Sequence, residues 1–384
     1  MKRLFKLVLA SVSIITIFSS CSNINTEAIE VENTFDSLKS TNFKVDAFWP
    51  KQLPNSWILG EVPGLSIDKH DHIWILQRPN SLDGRELGAS NGEKDCCAPA
   101  PSVIEFDPEG NLVNAWNIFE SEGSADPDQL WAGKEHGIYI DAEDFVWIAD
   151  AKGHTVLKLT KEGKQLLQIG KSGQTNGSND TLLLGGPADV AVDIEAKEVF
   201  VADGYVNRRV IVFDSETGAY KRHWGAYGEA PHDNELPARL ANAEPIRSFR
   251  TAVHAVTISN EGNVYVADRT NNRIQVFKKD GTFIRETFIA NDGGSGSIWD
   301  IEFSRDPEQS YVYVPDGANM KVWVLDHKTL EVINSFGFGG RNSGQFGWVH
   351  SLVVDSKGTI YTSEVNPGKR VQKFLPVSED DLSN

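Results

Sequence analysis

Cysteine, methionine and long apolar runs are all scarce in this 384-residue chain, and each scarcity excludes something. Three Cys rule out a disulfide-stapled scaffold. The longest mostly apolar run, residues 7–18, is twelve residues, too short to cross a bilayer as a mature helix. Basic residues are outnumbered 37 to 54, for a net charge of −17, which argues against non-specific nucleic-acid binding because that needs a basic patch. Beyond the first segment no ten-residue stretch carries helical periodicity. What the chain does have is 33 Gly and ten Trp, the material of tight turns and aromatic-rich strands. With 40% apolar and 24% charged residues, the composition is that of a folded globular protein.

The N-terminus has the layout of an export signal: Lys2, Arg3 and Lys6, then the apolar run, then Ser19, Ser20 and Cys21. A Cys just past the cleavage point resembles a bacterial lipoprotein signal, with Cys21 the lipidated new N-terminus; ordinary cleavage with Cys21 incidental is the alternative. Ser22 after that Cys resembles the pattern sorted to an outer membrane. The division expected is a signal over residues 1–20, a lipidated tether over 21–43, a folded domain over 44–376 and an acidic tail over 377–384. Removing the three basic residues of the signal takes the net charge to −20.

The domain repeats. An alternating strand is followed by a short turn and a second strand that ends in Ala-Asp or a relative of it, as in Val146-Trp-Ile-Ala-Asp150, Val199-Phe-Val-Ala-Asp203 and Val264-Tyr-Val-Ala-Asp268. With Val312 to Asp316, Ile360 to Glu364 and the degenerate Ile73 to Gln77, there are six copies. A third strand follows each, and a fourth often ends in Gly. Four short alternating strands per repeat of about 40 to 60 residues predict an all-β, six-bladed β-propeller with four antiparallel strands per blade. The Asp closing each second strand reads as a cap on the next turn. Residues 44–50 are expected to supply a strand that closes the ring with the last blade.

Aligned on their first strands, the blades place Pro63, His136, Ala188, His254, Trp299 and His350 in one slot. His therefore fills it in blades two, four and six, which a six-bladed ring relates by about 120°. Three inward imidazoles at one height converge on the axis as a three-His site with open positions, the arrangement of catalytic zinc. A wet channel also tolerates His bonded only to water. The turn after the second strand lies on the same side, because the two strands are antiparallel. It carries Arg78 in blade one and Tyr205 in blade three. An Arg there is suited to clamping a carboxylate, and a Tyr beside a divalent cation to taking a proton. Either is otherwise an ordinary loop residue.

The stretch from Gly262 to Phe277 and the run from Asp203 through Phe213 resemble NHL repeats, and the resemblance covers about residues 57–375. Within that class the chain resembles the peptidyl-α-hydroxyglycine α-amidating lyases (peptidylamidoglycolate lyases). The carrying motifs are Glu135-His-Gly-Ile138, Val253-His-Ala-Val256, Val349-His-Ser-Leu352, the Asp203 to Arg209 run with Tyr205, and Arg78 after the first blade's second strand. The resemblance implies one catalytic zinc on His136, His254 and His350, with Tyr205 as base and Arg78 binding the substrate. It implies cleavage of the C–N bond of a small or peptide substrate with an α-hydroxy acid terminus, giving an amide and glyoxylate. Departures are the missing Pro before each His, the family's absent disulfides, and Ser351. The family has an Asp there, tied to a structural calcium, so no calcium ligand carries over at that position.

Cys96 and Cys97 lie in a Gly/Pro-rich insertion over residues 80–101. An adjacent pair forms a vicinal disulfide in an oxidising envelope; a free or metal-binding pair is the alternative. Two other functions stay open at this stage: a non-enzymatic NHL scaffold on a lipid tether, and a metal-dependent lactonase-like hydrolase. The overall expectation is a monomeric bacterial envelope protein, anchored only by its N-terminal lipid and without nucleic-acid partners.

Overall fold

The computed structural model describes residues 38–378, apart from 90, 91, 93, 119–133, 242, 243 and 295. The signal, Cys21, most of the tether and most of the acidic tail lie outside the described residues. Six four-stranded antiparallel sheets stand around one axis. In blade four, Val253–Ile258 is innermost, followed outward by Asn263–Asp268, Arg273–Lys278 and Phe283–Phe288. The first five blades all run in chain order. In the sixth, Val349–Val354, Ile360–Glu364 and Val371–Pro376 are completed by Phe43–Asp46, paired from Phe43 with Pro376 to Asp46 with Lys373. The expected closure is thus made by residues 43–46, while Trp49 packs beyond it on Tyr361 and Phe106, with ring centroids 4.9 and 5.7 Å away.

No single core holds the ring together. Alternate side chains of one strand leave on opposite faces, so each second strand feeds two neighbouring interfaces. Val264 and Val266 pack toward blade three, Tyr265 and Ala267 toward blade five. Six separate apolar clusters result, one at each junction between blades. Trp116 belongs to the one between blades one and two, which makes it a packing residue. This arrangement leaves the axis free of structural duty.

The Asp residues that close second strands do act as caps. Asp150 accepts the backbone N–H groups of Lys152 and Gly153, at 3.1 and 2.9 Å. Asp203 and Asp268 are fully buried and paired with the buried Arg209 and Arg273, at 2.9 and 2.7 Å.

Candidate metal centre

The innermost strands carry a common irregularity. In blades one, two, three, four and six the pairing with the second strand skips at the slot, between Glu61 and Gly64, Glu135 and Gly137, Pro187 and Asp189, Val253 and Ala255, and Val349 and Ser351. A bulge frees one residue from the ladder and re-aims its side chain. Regular alternation would put His136 on the same face as Ile138, which is in the core. The bulge turns the imidazole to the axis instead, and His254 and His350 follow.

The three rings meet there, with centroids 4.7, 4.9 and 4.9 Å apart. One ligand atom from each lies within 4.8 Å of the others. Their orientation is fixed by the next blade. His136 Nδ1 donates to the Ala188 carbonyl and His350 Nδ1 to the Pro63 carbonyl, both at 2.7 Å, and His254 Nδ1 to the Trp299 carbonyl. A carbonyl only accepts, so each ring is the Nδ1–H tautomer with its Nε2 lone pair facing inward. Burial, helped by the neighbouring imidazoles, Arg78 and Arg269, pushes all three well below the usual histidine range. They are neutral at pH 7, the form that ligates a metal. His254 Nε2 is buried without a hydrogen-bond partner among the described residues, a cost that a bound cation removes. The donor set therefore fits a divalent metal.

Tyr205 joins this cluster. Its hydroxyl donates to His136 Nε2 at 2.8 Å. The turn that presents it explains its motif: Asp203 accepts from Asn207 at 2.7 Å and from Arg209, tying the two ends together. Tyr205 N–H bonds the Gly186 carbonyl at 2.9 Å. Gly204 is required because a Cβ there would lie 2.1 Å from the Val253 carbonyl oxygen, the residue before His254.

Arg78 reaches the same side. It donates from Nε to the Glu135 carbonyl at 2.8 Å and pairs with Glu61 at 2.7 Å, so part of its charge is already matched. Its neighbour Gln77 holds the insertion, donating to the carbonyls of Ala100 and Pro101 at 2.5 and 2.9 Å. Within that insertion Cys96 and Cys97 are joined as a disulfide. Ala98–Pro99 pairs in parallel with Trp57–Ile58.

Sequence reasoning missed Arg269. It follows Asp268 as Arg78 follows Gln77, and that shared offset was the available signal. Its guanidinium stacks 4.2 Å from the Trp299 ring centroid and donates to the Tyr205 hydroxyl at 3.4 Å. Among the described residues no carboxylate pairs with it, and its Nε is buried without a partner. Trp348 stands edge-on to Trp299 at 5.6 Å.

Below the histidines, Asp189 and Asp300 each follow the slot residue of their blade. Asp189 accepts the Val256 N–H at 3.1 Å; Asp300 accepts from Ser351 Oγ at 2.6 Å and Leu352 N–H at 3.2 Å. Burial, and then the Asp300 charge, pushes Asp189 well above the carboxylate range. Burial pushes Asp300 up to about 7.

Comparison with known proteins places this geometry in context. The NHL repeat model matches residues 253–277. The chain is 25% identical over 375 residues to peptidyl-alpha-hydroxyglycine alpha-amidating lyase 1 of Drosophila melanogaster, covering 92% of this chain and 62% of that one. It is 26% identical over 342 residues to peptidyl-glycine alpha-amidating monooxygenase B of Xenopus laevis, covering 85% of this chain but 35% of that longer protein. It is also 25% identical over 359 residues to human NHL repeat-containing protein 3, covering 88% and 85%. A solved streptogramin B lyase superposes with a TM-score of 0.52 at 10% identity, over 88% of this chain and 98% of that one, a likeness of fold alone. The chain is thus a six-bladed propeller with an NHL repeat, similar along most of its length to amidating lyases and to NHL proteins.

Proposed function

We propose that this protein is a zinc-dependent carbon–nitrogen lyase acting on R–CO–NH–CH(OH)–COO⁻, an α-hydroxyglycine-type amide, to give R–CO–NH₂ and glyoxylate. One observation carries the reading: three neutral imidazoles offer Nε2 to a common centre, with the Tyr205 hydroxyl 2.8 Å from one of them. The similarity to NHL repeat-containing protein 3 means that overall resemblance does not by itself select an enzyme. What favours an enzyme is that the three inward histidines gather metal-ligating nitrogens at one point beside Tyr205.

His136, His254 and His350 would hold the metal, and zinc suits three neutral nitrogen donors with an open position. Bound there, it supplies Lewis acidity that lowers the pKa of a hydroxyl in contact with it. Tyr205 would act as the base: with the metal on the His136 Nε2 to which its hydroxyl now donates, that hydroxyl proton would leave to solvent and the oxygen would take the carbinol proton. The carbon–oxygen bond becomes the aldehyde of glyoxylate as the C–N bond breaks, and Tyr205 returns the proton to the departing amide nitrogen. Arg269, free of any carboxylate partner among the described residues, binds the substrate carboxylate, with Arg78 alongside. Neither a nucleophilic side chain nor water enters the balance. In the envelope reading of the N-terminus, the lipid on Cys21 would hold this enzyme at the membrane.

Product identification tests the proposal. Zinc-loaded protein given a peptide ending in α-hydroxyglycine should yield the peptide amide and glyoxylate in equal amounts. Release of the free acid R–COO⁻ in place of the amide, or turnover of lactones alone, would assign the site to a hydrolase.

A further inference from the structure

The cavity that touches the histidines opens away from Tyr205. It has a volume of about 470 Å³ and follows the innermost strands of all six blades. At one end are His136, His254 and His350; at the other are exposed turn residues, among them Lys69, Ala142, Asn260 and Ser356. Tyr205, Arg78 and Arg269 do not line it. The histidine layer therefore separates two surroundings: a side with two arginines and a tyrosine, which the proposed function makes the substrate mouth, and a long chamber beneath.

The chamber has the opposite electrostatic character from the mouth. Six acidic side chains, those of Asp68, Asp71, Asp141, Asp189, Asp300 and Glu302, line it against two cations, Lys69 and Arg305, and Asp68 is in turn held by Lys161 at 3.1 Å. Lys69 is engaged by Asp144 at 2.7 Å, and Arg305 by Glu302 at 3.5 Å. Asp189 and Asp300, the acids next to the histidine layer, have no basic partner among the described residues, so an arriving cation can displace the protons that burial holds on them and bind the freed oxygens. The unpartnered Nε2 of His254, on a side chain 2% exposed, belongs to the same cavity. A channel of one charge sign with low-dielectric walls concentrates counter-ions and excludes co-ions. A substrate ending in carboxylate, and glyoxylate itself, are turned away from it; a divalent cation is drawn in.

We propose that the lower chamber is a metal-loading channel, through which a divalent cation reaches the three histidines from the face opposite the substrate mouth, by way of Asp300 and Asp189. The inference rests on the metal-centre reading above. It separates two traffic routes, so that the metal exchanges without crossing the arginine-lined mouth.

The test is the rate of cobalt(II) uptake by the chelator-stripped full chain at low ionic strength, followed by its visible absorption in a stopped-flow instrument. The double variant Asp189→Asn/Asp300→Asn, compared at pH 8.5, should take up one cobalt per chain, but about 10 to 100 times more slowly, because it loses the oxygens that a cation deprotonates and binds on its way and the charge they then carry. Because those side chains also accept backbone hydrogen bonds, a second variant avoids them. Asn260→Lys/Ser356→Lys, on the exposed lower rim, should slow uptake too, with the deficit vanishing at high salt. Leu182→Lys, exposed on the mouth side, should leave the rate unchanged. Unchanged uptake in the rim variant, or equal slowing by Leu182→Lys, would overturn the channel. If uptake behaves as expected but no glyoxylate forms, the lyase reading fails and the channel stands.

Discussion

In the proposed reaction Tyr205 and Arg269 divide the labour, and their variants should separate it. Tyr205→Phe removes one oxygen and leaves all three histidines. Zinc content should stay at the wild-type level while kcat for glyoxylate release falls by about 10² to 10⁴, the contribution of a positioned general base. Arg269→Met keeps much of the volume over Trp299 and loses the charge. KM for the carboxylate-bearing substrate should rise about 10- to 100-fold, in keeping with a charge-assisted hydrogen bond, with a far smaller change for an analogue ending in carboxamide. Steady-state kinetics on both substrates reads both effects. The histidines were legible because a repeat supplies its own alignment: one slot, filled by His in alternate blades. Arg269 stood at an equally legible offset. The match of Arg78 to Glu61 was not legible, since Glu61 reaches it through the bulged start of the first strand.

At the scale of the element, the first strand's bulge decides the site. Period-2 alternation alone would carry the slot residue onto a packing face, because parity changes at a bulge; the recurrence of His in alternate blades is what placed the slot at the axis. Nothing in the local composition marks that skip. The layer beneath it predicts a pH signature for metal-free protein. The histidines are depressed by burial, so their contribution to stability is complete above the unfolded value near 6.5 and is lost as pH falls below it. Asp300 is raised by burial to about 7 from 3.8, so its contribution is complete below about 4 and is lost as pH rises through 7. Asp300→Asn cannot ionise. Its melting temperature relative to wild type should therefore become more favourable between pH 5 and pH 8.5 in scans of chelated protein. A difference that stays flat would mean that Asp300 is already ionised in the folded state.

For the whole molecule, the ring was readable from six second strands, and its closure from an extended N-terminal segment with no other blade to join. The distribution of packing into six junctions explains why the axis can be polar: histidines and carboxylates there remove nothing from the apolar clusters. It also puts the weak point at the junction where the two ends of the domain meet. Trp49 is buried there between blades one and six. Trp49→Ala should lower unfolding free energy by about 3–5 kcal/mol, as for other buried Trp truncations, measured by urea titration, with the loaded metal content unchanged at low denaturant. The insertion bearing Cys96 and Cys97 was visible only as a composition shift. Its attachment through Gln77, beside Arg78, depends on a side-chain bond to backbone that no pattern announces.

Turnover measured against metal content tests the three-histidine centre most directly. Chelator-stripped protein is given increasing zinc, and glyoxylate release from a peptide ending in α-hydroxyglycine is followed at each step. The three-histidine lyase predicts no release without metal, a rate that rises in proportion to added zinc, and saturation at one ion per chain, with His136→Ala inactive throughout. Full zinc occupancy without glyoxylate, or release that survives complete removal of the metal, would contradict it.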